Sequence, residues 1–159
     1  MRGLEPDVYQ SLHTIRDYCI KNAREIERWP SFYRRRYDEF LSYLSFFPES
    51  KLNSVLELGC GIGYQSAFLA KVADRVIATD LEEEDIQDHA PGIKLAEQLH
   101  EKLKISNIEL KACSAEDLPF PATSFDMVFS SHVFEHIPDQ SKALIEIHRV
   151  LKPGGIHFL

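Results

Sequence analysis

The sequence predicts an α/β fold, a doubly wound and mostly parallel sheet with helices on both faces. Between residues 51 and 159, short apolar runs alternate with stretches whose apolar residues recur every three or four positions, as strands alternate with amphipathic helices. A glycine-rich turn at residues 59–63 follows the first apolar run, where a strand would meet a helix. With 44% hydrophobic and 11% aromatic residues, the 159-residue chain has the composition of a globular protein.

Residues 1–50 are predicted to form an N-terminal cap of two helices, preceding an α/β domain of residues 51–159. Apolar side chains recur at helical spacing through residues 7–28, at Val8, Leu12, Ile15, Cys19, Ala23 and Ile26. Pro30 is expected to end this helix, and Ser31 to act as the N-cap of a second helix that runs to about Phe46. The second apolar stripe consists of Tyr33, Tyr37, Phe40, Leu44 and Phe47. Both stripes indicate packing surfaces, and the aromatic residues could also cover a substrate.

The α/β region contains five predicted strands, at residues 55–58, 75–79, 107–112, 124–130 and 156–159. Helices are predicted after Gly63, from Pro91 to Leu103, and from Asp139, a favourable N-cap, to Leu151. The acidic stretch at residues 81–89 is predicted to be a solvated loop or short helical turn. It supplies charge without the spacing of a metal site, so no metal is expected.

The glycine turn predicts a nucleotide-type site. Glycine lets the backbone turn sharply and lets a ligand approach bare main chain, next to the unpaired N–H groups that open a helix. The dinucleotide fingerprint is G-x-G-x-x-G, whereas this chain has Glu57-x-Gly59-x-Gly61-x-Gly63. An acid two residues before the first glycine would not help to bind a pyrophosphate, but it suits a ligand that carries positive charge.

This E-x-G-x-G-x-G sequence resembles motif I of the class I S-adenosylmethionine-dependent methyltransferases, and in particular the methyltransferase type 11 group. The resemblance extends over about residues 51–159, because F-D-x-V, E-H-I-P-D and L-x-P-G-G follow in the family's order at residues 125–128, 135–139 and 151–155. It implies a Rossmann-like fold and S-adenosylmethionine as cofactor. It further implies transfer of a methyl group to a small-molecule acceptor by in-line displacement.

The resemblance also implies roles for individual residues. Glu57, with Gly59, Cys60, Gly61 and Gly63, would hold the methionine end of the cofactor. Asp80, at the tip of the second strand and followed by Leu81, would accept both ribose hydroxyls, although such an acid could also be a helix cap or turn residue. The adenine would lie against Ser114, Ala115 and Glu116, and main chain near Ser130 would meet the amino group. Ser114 departs from the family, which often has an aspartate there.

Residues 132–136 also match H-x-x-E-H, an inverted zinc-protease signature. On a helix, His132 and His136 would share a face and could bind zinc with a distant third ligand. The segment instead follows a strand directly, and Pro138 interrupts it. No zinc site is therefore expected, and the catalytic residue is not identified, with His132 and His136 as weak candidates for a general base.

Two alternatives to a working methyltransferase stay open at this point. An NAD-dependent oxidoreductase would share the first turn and the ribose acid, although Glu57 and the glycine spacing argue against it. The second alternative is a cofactor-binding but catalytically incomplete domain. The chain ends four residues into the fifth predicted strand, so the domain is expected to be truncated after that strand, and the truncated chain could be inactive. An exposed apolar edge strand there would favour self-association.

Composition limits the partners. Residues 1–50 carry 8 basic and 8 acidic residues, and residues 51–159 carry 10 basic and 17 acidic ones, which gives the net charge of −7. An acidic α/β region argues against nucleic acid as a partner and leaves a small molecule. No apolar run has the length of a membrane span, and the three widely spaced cysteines fit a reducing cytoplasm.

Overall fold

The computed structural model describes residues 5–23, 29–48, 52–81 and 92–159. Its helices are α1 (Pro6–Lys21), α2 (Pro30–Tyr43), α3 (Tyr64–Leu69), α4 (Gly92–Lys102) and α5 (Gln140–Val150). Its strands are β1 (Leu52–Leu58), β2 (Ala73–Asp80), β3 (Ile108–Ala112), β4 (Phe125–Ser130) and β5 (Leu151–Phe158). Single 3₁₀ turns lie at Leu44–Phe46 and Phe134–His136. None of these described helices is long and apolar enough to cross a membrane.

All five strands form one parallel sheet in the order β3-β2-β1-β4-β5. Strands β2 and β3 follow β1 on one side, whereas β4 and β5 lie on the other side of β1. The strand order therefore reverses between β1 and β4. Leu58 pairs with Thr79 on one side and with Ser130 on the other, so these strands end at one edge. The predicted fold class, a Rossmann-like doubly wound α/β sheet, is confirmed.

Helices cover both faces of the sheet because the central strands are apolar on both sides. On one face, α1 to α4 pack over a core that includes Val55, Phe68 and Phe129. On the other face, α5 packs through Ile147 and Val150 over a smaller core. This arrangement leaves the carboxyl ends of the strands to be covered by loops.

The two N-terminal helices pack directly on the sheet. Leu12, Ile15 and Cys19 of α1 and Tyr33, Tyr37 and Phe40 of α2 are buried, as the predicted stripes require. The Phe40 ring lies 5.0 Å from the Phe68 ring and 6.4 Å from the Phe129 ring, measured between centroids. The division into a cap at residues 1–50 and a domain at residues 51–159 stays a prediction.

Two predicted boundaries of the N-terminal helices differ from the structure. The helix α1 ends at Lys21 rather than near residue 28, and its C-cap residue Asn22 donates both its backbone N–H and its side-chain amide to the Tyr18 carbonyl. Pro30 does not end α1 but opens α2, and Trp29 is the N-cap in place of Ser31. Proline suits the first helical position, since its missing N–H would have no partner there. Predictions for residues 24–28 and 82–91 lie outside the described residues.

The N-terminal boundary of α5 agrees with the prediction, whereas that of β5 does not. The Asp139 side chain accepts a hydrogen bond from the Lys142 N–H at 2.9 Å, which confirms it as the N-cap of α5. The strand β5 begins earlier than predicted: Phe125 pairs with Leu151, and Met127 pairs with Ile156 after an irregularity that contains Gly154 at φ +79°. Within the described part of the chain, β5 pairs only with β4. Self-association through its outer edge stays a prediction.

Candidate functional site

A cavity of about 550 Å³ opens at the carboxyl ends of the strands, at the point where strand order reverses. Cavities of this size and position are typical of cofactor sites in doubly wound folds. Residues that end β1 and β2 form its floor, the segment after β3 forms one wall, and the segment after β4 forms the opposite wall. The lining residues are Leu58, Gly59, Thr79, Asp80, Leu81, Cys113, Ser114, Ala115, Glu116, His132, Val133, His136, Ile137 and Pro138.

The glycine turn forms part of the floor at Gly59, which has a left-handed backbone at φ +64°. A side chain here would place its Cβ 2.5 Å from Cγ2 of Val133, well inside van der Waals contact. Glycine is therefore required both by the backbone conformation and by the close approach of the wall. Gly61 and Gly63 continue the turn with positive φ angles, but they do not line the cavity.

Asp80 ends β2 with its carboxylate fixed by main chain. Its Oδ2 accepts a hydrogen bond from the Gly61 N–H at 2.6 Å, and its Oδ1 accepts one from the Leu81 N–H at 2.8 Å. A carboxylate has about four acceptor positions, so further hydrogen bonds remain possible on the cavity side. Asp80 thus links the glycine turn to β2 and presents an oriented acceptor to the cavity.

Glu57 lies behind the glycine turn and does not line the cavity. Its side chain is 2% exposed and accepts a hydrogen bond from the Ser66 hydroxyl of α3. Burial raises the pKa of Glu57 to about 8, against a lowering by the Ser66 hydrogen bond and with a further rise from Asp80. Burial therefore favours the protonated form of this acid. The expectation that Glu57 suits a positively charged ligand stays a prediction.

Cys60 and Ser130 are also behind the cavity surface. The Cys60 N–H donates to the Thr79 carbonyl at 2.8 Å, and burial raises the pKa of its thiol well above the usual value. The Ser130 hydroxyl lies 3.3 Å from Nε2 of His157 and 3.4 Å from the Phe158 carbonyl, both on β5. Cys60 therefore connects the glycine turn to β2, and Ser130 connects β4 to β5.

The wall after β3 contains the three predicted residues Ser114, Ala115 and Glu116. The Cys113 N–H donates to the Asp80 carbonyl at 2.9 Å, which sets the start of this wall beside the Asp80 carboxylate. The Ser114 hydroxyl accepts from the Glu116 N–H at 3.1 Å, so the segment forms a local turn. The Glu116 carboxylate accepts from the Asp139 N–H at 3.1 Å and is thereby tied to the start of α5.

The opposite wall contains both histidines. His132 has a left-handed backbone at φ +59°, is half exposed, and has its Nε2 atom 3.6 Å from Oε2 of Glu39 on α2. His136 lies in the 3₁₀ turn and is largely exposed. The two side chains are not on one helix face, which the zinc hypothesis required. Among residues 5–23, 29–48, 52–81 and 92–159, no group of three or more His, Cys, Asp or Glu is arranged to hold a metal ion.

Of the predicted site residues, the structure brings together at the cavity Gly59, Asp80, Leu81, Ser114, Ala115, Glu116, His132 and His136. Glu57, Cys60, Gly61, Gly63 and Ser130 support it from behind. Sequence reasoning missed the apolar contributions of Val133 and Ile137 and the thiol of Cys113. The position of Cys113 directly after a predicted strand was the available signal, since the carboxyl ends of parallel strands meet at one edge.

The sheet order, the glycine turn and the acid at the end of β2 define a Rossmann-like cofactor-binding protein. Residues 56–159 match the model of a family described as "Methyltransferase domain". The chain is 34% identical over 102 residues to a Mycolicibacterium smegmatis protein named "Probable S-adenosylmethionine-dependent methyltransferase", covering 64% of this chain. It is 35% identical over 106 residues to a Xanthomonas oryzae ubiquinone biosynthesis O-methyltransferase, covering 66% of this chain.

A crystal structure of an S-adenosylmethionine-dependent methyltransferase from Aquifex aeolicus is similar with a TM-score of 0.60 and 26% identity, over 73% of this chain and 58% of that one. The chain belongs to the class I S-adenosylmethionine-dependent methyltransferase family, as the resemblance implied. The alternative of an NAD-dependent oxidoreductase is not favoured. The chain spans 35% and 41% of the length of the two relatives named above.

Proposed function

We propose that this chain binds S-adenosylmethionine in the cavity and positions its methyl group for transfer to a small-molecule acceptor. The observation that carries the proposal is the Asp80 carboxylate, oriented by the N–H groups of Gly61 and Leu81 and open to a cavity of about 550 Å³. A fixed carboxylate that accepts two adjacent hydroxyl groups suits a ribose.

The residues present fit the cofactor in four respects. Gly59 lines the cavity with main chain alone, and Asp80 retains acceptor capacity for the ribose. The cavity wall formed by Ser114, Ala115 and Glu116 presents main-chain and hydroxyl groups to the adenine base of the cofactor. Leu81 and Ile137 supply apolar surface. Glu57, Cys60, Gly61 and Gly63 would support the methionine end indirectly by holding the turn, and Ser130 would support it from β4.

Bound S-adenosylmethionine would supply a methyl group that is already activated by its positively charged sulfur. The protein then contributes mainly by orientation, and holding two reactants in line can account for roughly 7–11 kcal/mol of the barrier. His132 and His136 lie on the cavity wall that a methyl acceptor would contact. Either histidine could accept a proton from that acceptor. We also propose a cytoplasmic location, which the three unpaired cysteines support.

The proposal is tested by measuring the affinity for S-adenosylhomocysteine calorimetrically in the wild type and in Asp80→Ala. Loss of charge-assisted hydrogen bonds to the ribose, together with a looser glycine turn, should weaken binding by roughly 10- to 100-fold. Asp74→Ala, at the opposite end of β2, is the matched control and should bind as the wild type does. Unchanged affinity in Asp80→Ala would remove the ribose role.

A further inference from the structure

The cavity wall after β3 depends for its shape on hydrogen bonds from other parts of the chain. Residues 113–124 contain neither helix nor strand, so their main-chain groups cannot satisfy one another in a regular ladder. Within the segment, the Asp117 N–H donates to the Ser114 carbonyl at 3.2 Å, and this turn carries the residues that face the cavity. Contacts that fix the residues after this turn, at 118–120, therefore determine the position of the wall.

A pair of charged residues on α5 supplies that support. The Arg149 guanidinium donates from Nη1 to the Phe120 carbonyl at 2.7 Å and from Nη2 to the Leu118 carbonyl at 2.8 Å. It also binds Glu146 with two parallel hydrogen bonds, Nε to Oε1 at 2.8 Å and Nη2 to Oε2 at 2.6 Å. Such a planar two-pronged pair fixes both side chains in one orientation.

Glu146 completes the support from the other side of the same peptide segment. Its Oε2 accepts a hydrogen bond from the Leu118 N–H at 2.9 Å, so the pair binds both the N–H and the carbonyl of one residue. The Leu118 side chain is 3% exposed and packs in the core beneath α5. Because the Asp139 N–H at the start of α5 donates to Glu116, the helix holds the wall at two places.

We infer that the Glu146–Arg149 pair is a positioning device that sets the selectivity of the cavity for the adenine base. The inference rests on the proposed function. Neither side chain lines the cavity, so the pair acts through the main chain of residues 118–120 and the turn of Ser114–Glu116 before it. Asp80 is held by different groups, so the pair affects base recognition more than ribose recognition.

The test uses Arg149→Lys, which keeps the positive charge but cannot make the planar two-pronged contact, and Glu146→Gln. Affinities are measured calorimetrically for S-adenosylhomocysteine and for S-inosylhomocysteine, which carries hypoxanthine in place of adenine. The wild type should prefer the adenosyl compound. Arg149→Lys should lose about tenfold in affinity for it and less for the inosyl compound, so the ratio of the two affinities falls.

Arg75→Lys is the matched control, because Arg75 pairs with Glu109 on the exposed surface between β2 and β3. It should leave both affinities and their ratio unchanged. An unchanged ratio in Arg149→Lys and Glu146→Gln, with lower thermal stability alone, would show that the pair only supports the fold and would overturn the inference. A wild type that binds neither compound would instead overturn the proposed function itself.

Discussion

Gly63 shows how one residue fixes the cavity floor from behind. Its φ of +75° lies in the left-handed region, and an added Cβ would stand 2.6 Å from both Cβ of Ala96 and Nε2 of His100. His100 is buried, and its Nε2 lies 2.8 Å from the Gly63 carbonyl, so α4 is locked against the turn. Backbone and packing both require glycine here.

Gly63→Ala should therefore lower the free energy of unfolding by about 2–4 kcal/mol, from backbone strain and overpacking together. Gly154→Ala is the matched control, because Gly154 has a similar φ of +79° but no atom within 4 Å of the added Cβ. It should cost only about 1 kcal/mol. Urea unfolding of both variants checks this, and equal losses would show that the contact with α4 contributes nothing.

The buried acid Glu57 should make stability depend on pH. Its pKa is about 8 in the folded chain against 4.5 for an ordinary glutamate, so the folded state keeps the proton over a range where the unfolded state has lost it. The free energy of unfolding contributed by this group is highest below pH 4.5 and falls as the pH rises toward 8. The slope for one such proton is at most about 1.4 kcal/mol per pH unit.

Glu57→Gln keeps the shape of the side chain but cannot ionise. The free energy of unfolding of this variant, relative to the wild type, should therefore increase steadily between pH 5 and pH 8. Urea titrations at four or more pH values measure the difference between the two proteins, which cancels the contributions of His100 and other groups. A difference that is constant across this range would contradict the burial and charge argument.

At the scale of elements, Asp126 joins three strands. Its Oδ2 accepts from the N–H groups of Asn53 and Ser54 on β1, and its Oδ1 accepts from Nζ of Lys152 on β5 at 2.7 Å. Burial by itself would raise the pKa of Asp126. The hydrogen bonds from Lys152, Ser54 and Asn53 outweigh that effect and hold its pKa below the ordinary value.

Asp126→Ala should lower the free energy of unfolding by about 2–3 kcal/mol at pH 7, since hydrogen bonds to a charged group are lost. The stabilisation by Asp126 is present above its unfolded pKa and disappears as the pH falls through its lower folded pKa, so the cost should shrink in acid. Asp17→Ala, which removes an exposed ion pair with Arg16, should cost less than about 1 kcal/mol. Equal costs for the two variants would contradict this account.

Element order and type could be predicted from the sequence because hydrophobic period and turn residues are local signals. Pro30 shows where this information is insufficient, since a proline can either end a helix or open one. Here it opens α2, because α1 has already ended at Lys21. Positions that line the candidate cavity could be predicted where they end a strand or directly follow one, as at Asp80 and Ser114–Glu116. Their roles in binding a cofactor stay a prediction. The supports from Arg149, Glu146 and His100 depend on contacts between distant segments, which no local pattern specifies.

For the whole molecule, the N-terminal helices and the sheet share one aromatic core. Phe40 is fully buried among the rings of Phe47, Phe68 and Phe129. Phe40→Ala should therefore lower the free energy of unfolding by about 3–5 kcal/mol, whereas Phe46→Ala, at an exposed ring, should cost less than about 1 kcal/mol.

The same shared core implies that α2 and β1 unfold together. Hydrogen exchange should give amides of α2 and β1 the same opening free energy in the wild type, and Phe40→Ala should lower both by the same amount. Protection that falls in α2 while β1 keeps its original value would show that the helices form a separate unit, and the shared core would then not couple them.

The central claim is that the cavity at the carboxyl ends of the strands is an S-adenosylmethionine site, and calorimetry with three ligands tests it most directly. S-adenosylmethionine, S-adenosylhomocysteine and NAD are titrated into the wild-type chain under one buffer condition. The account predicts one-to-one binding of both adenosyl compounds, in the micromolar range, and no heat from NAD. Binding of NAD without either adenosyl compound, or no binding by any of the three, would contradict it.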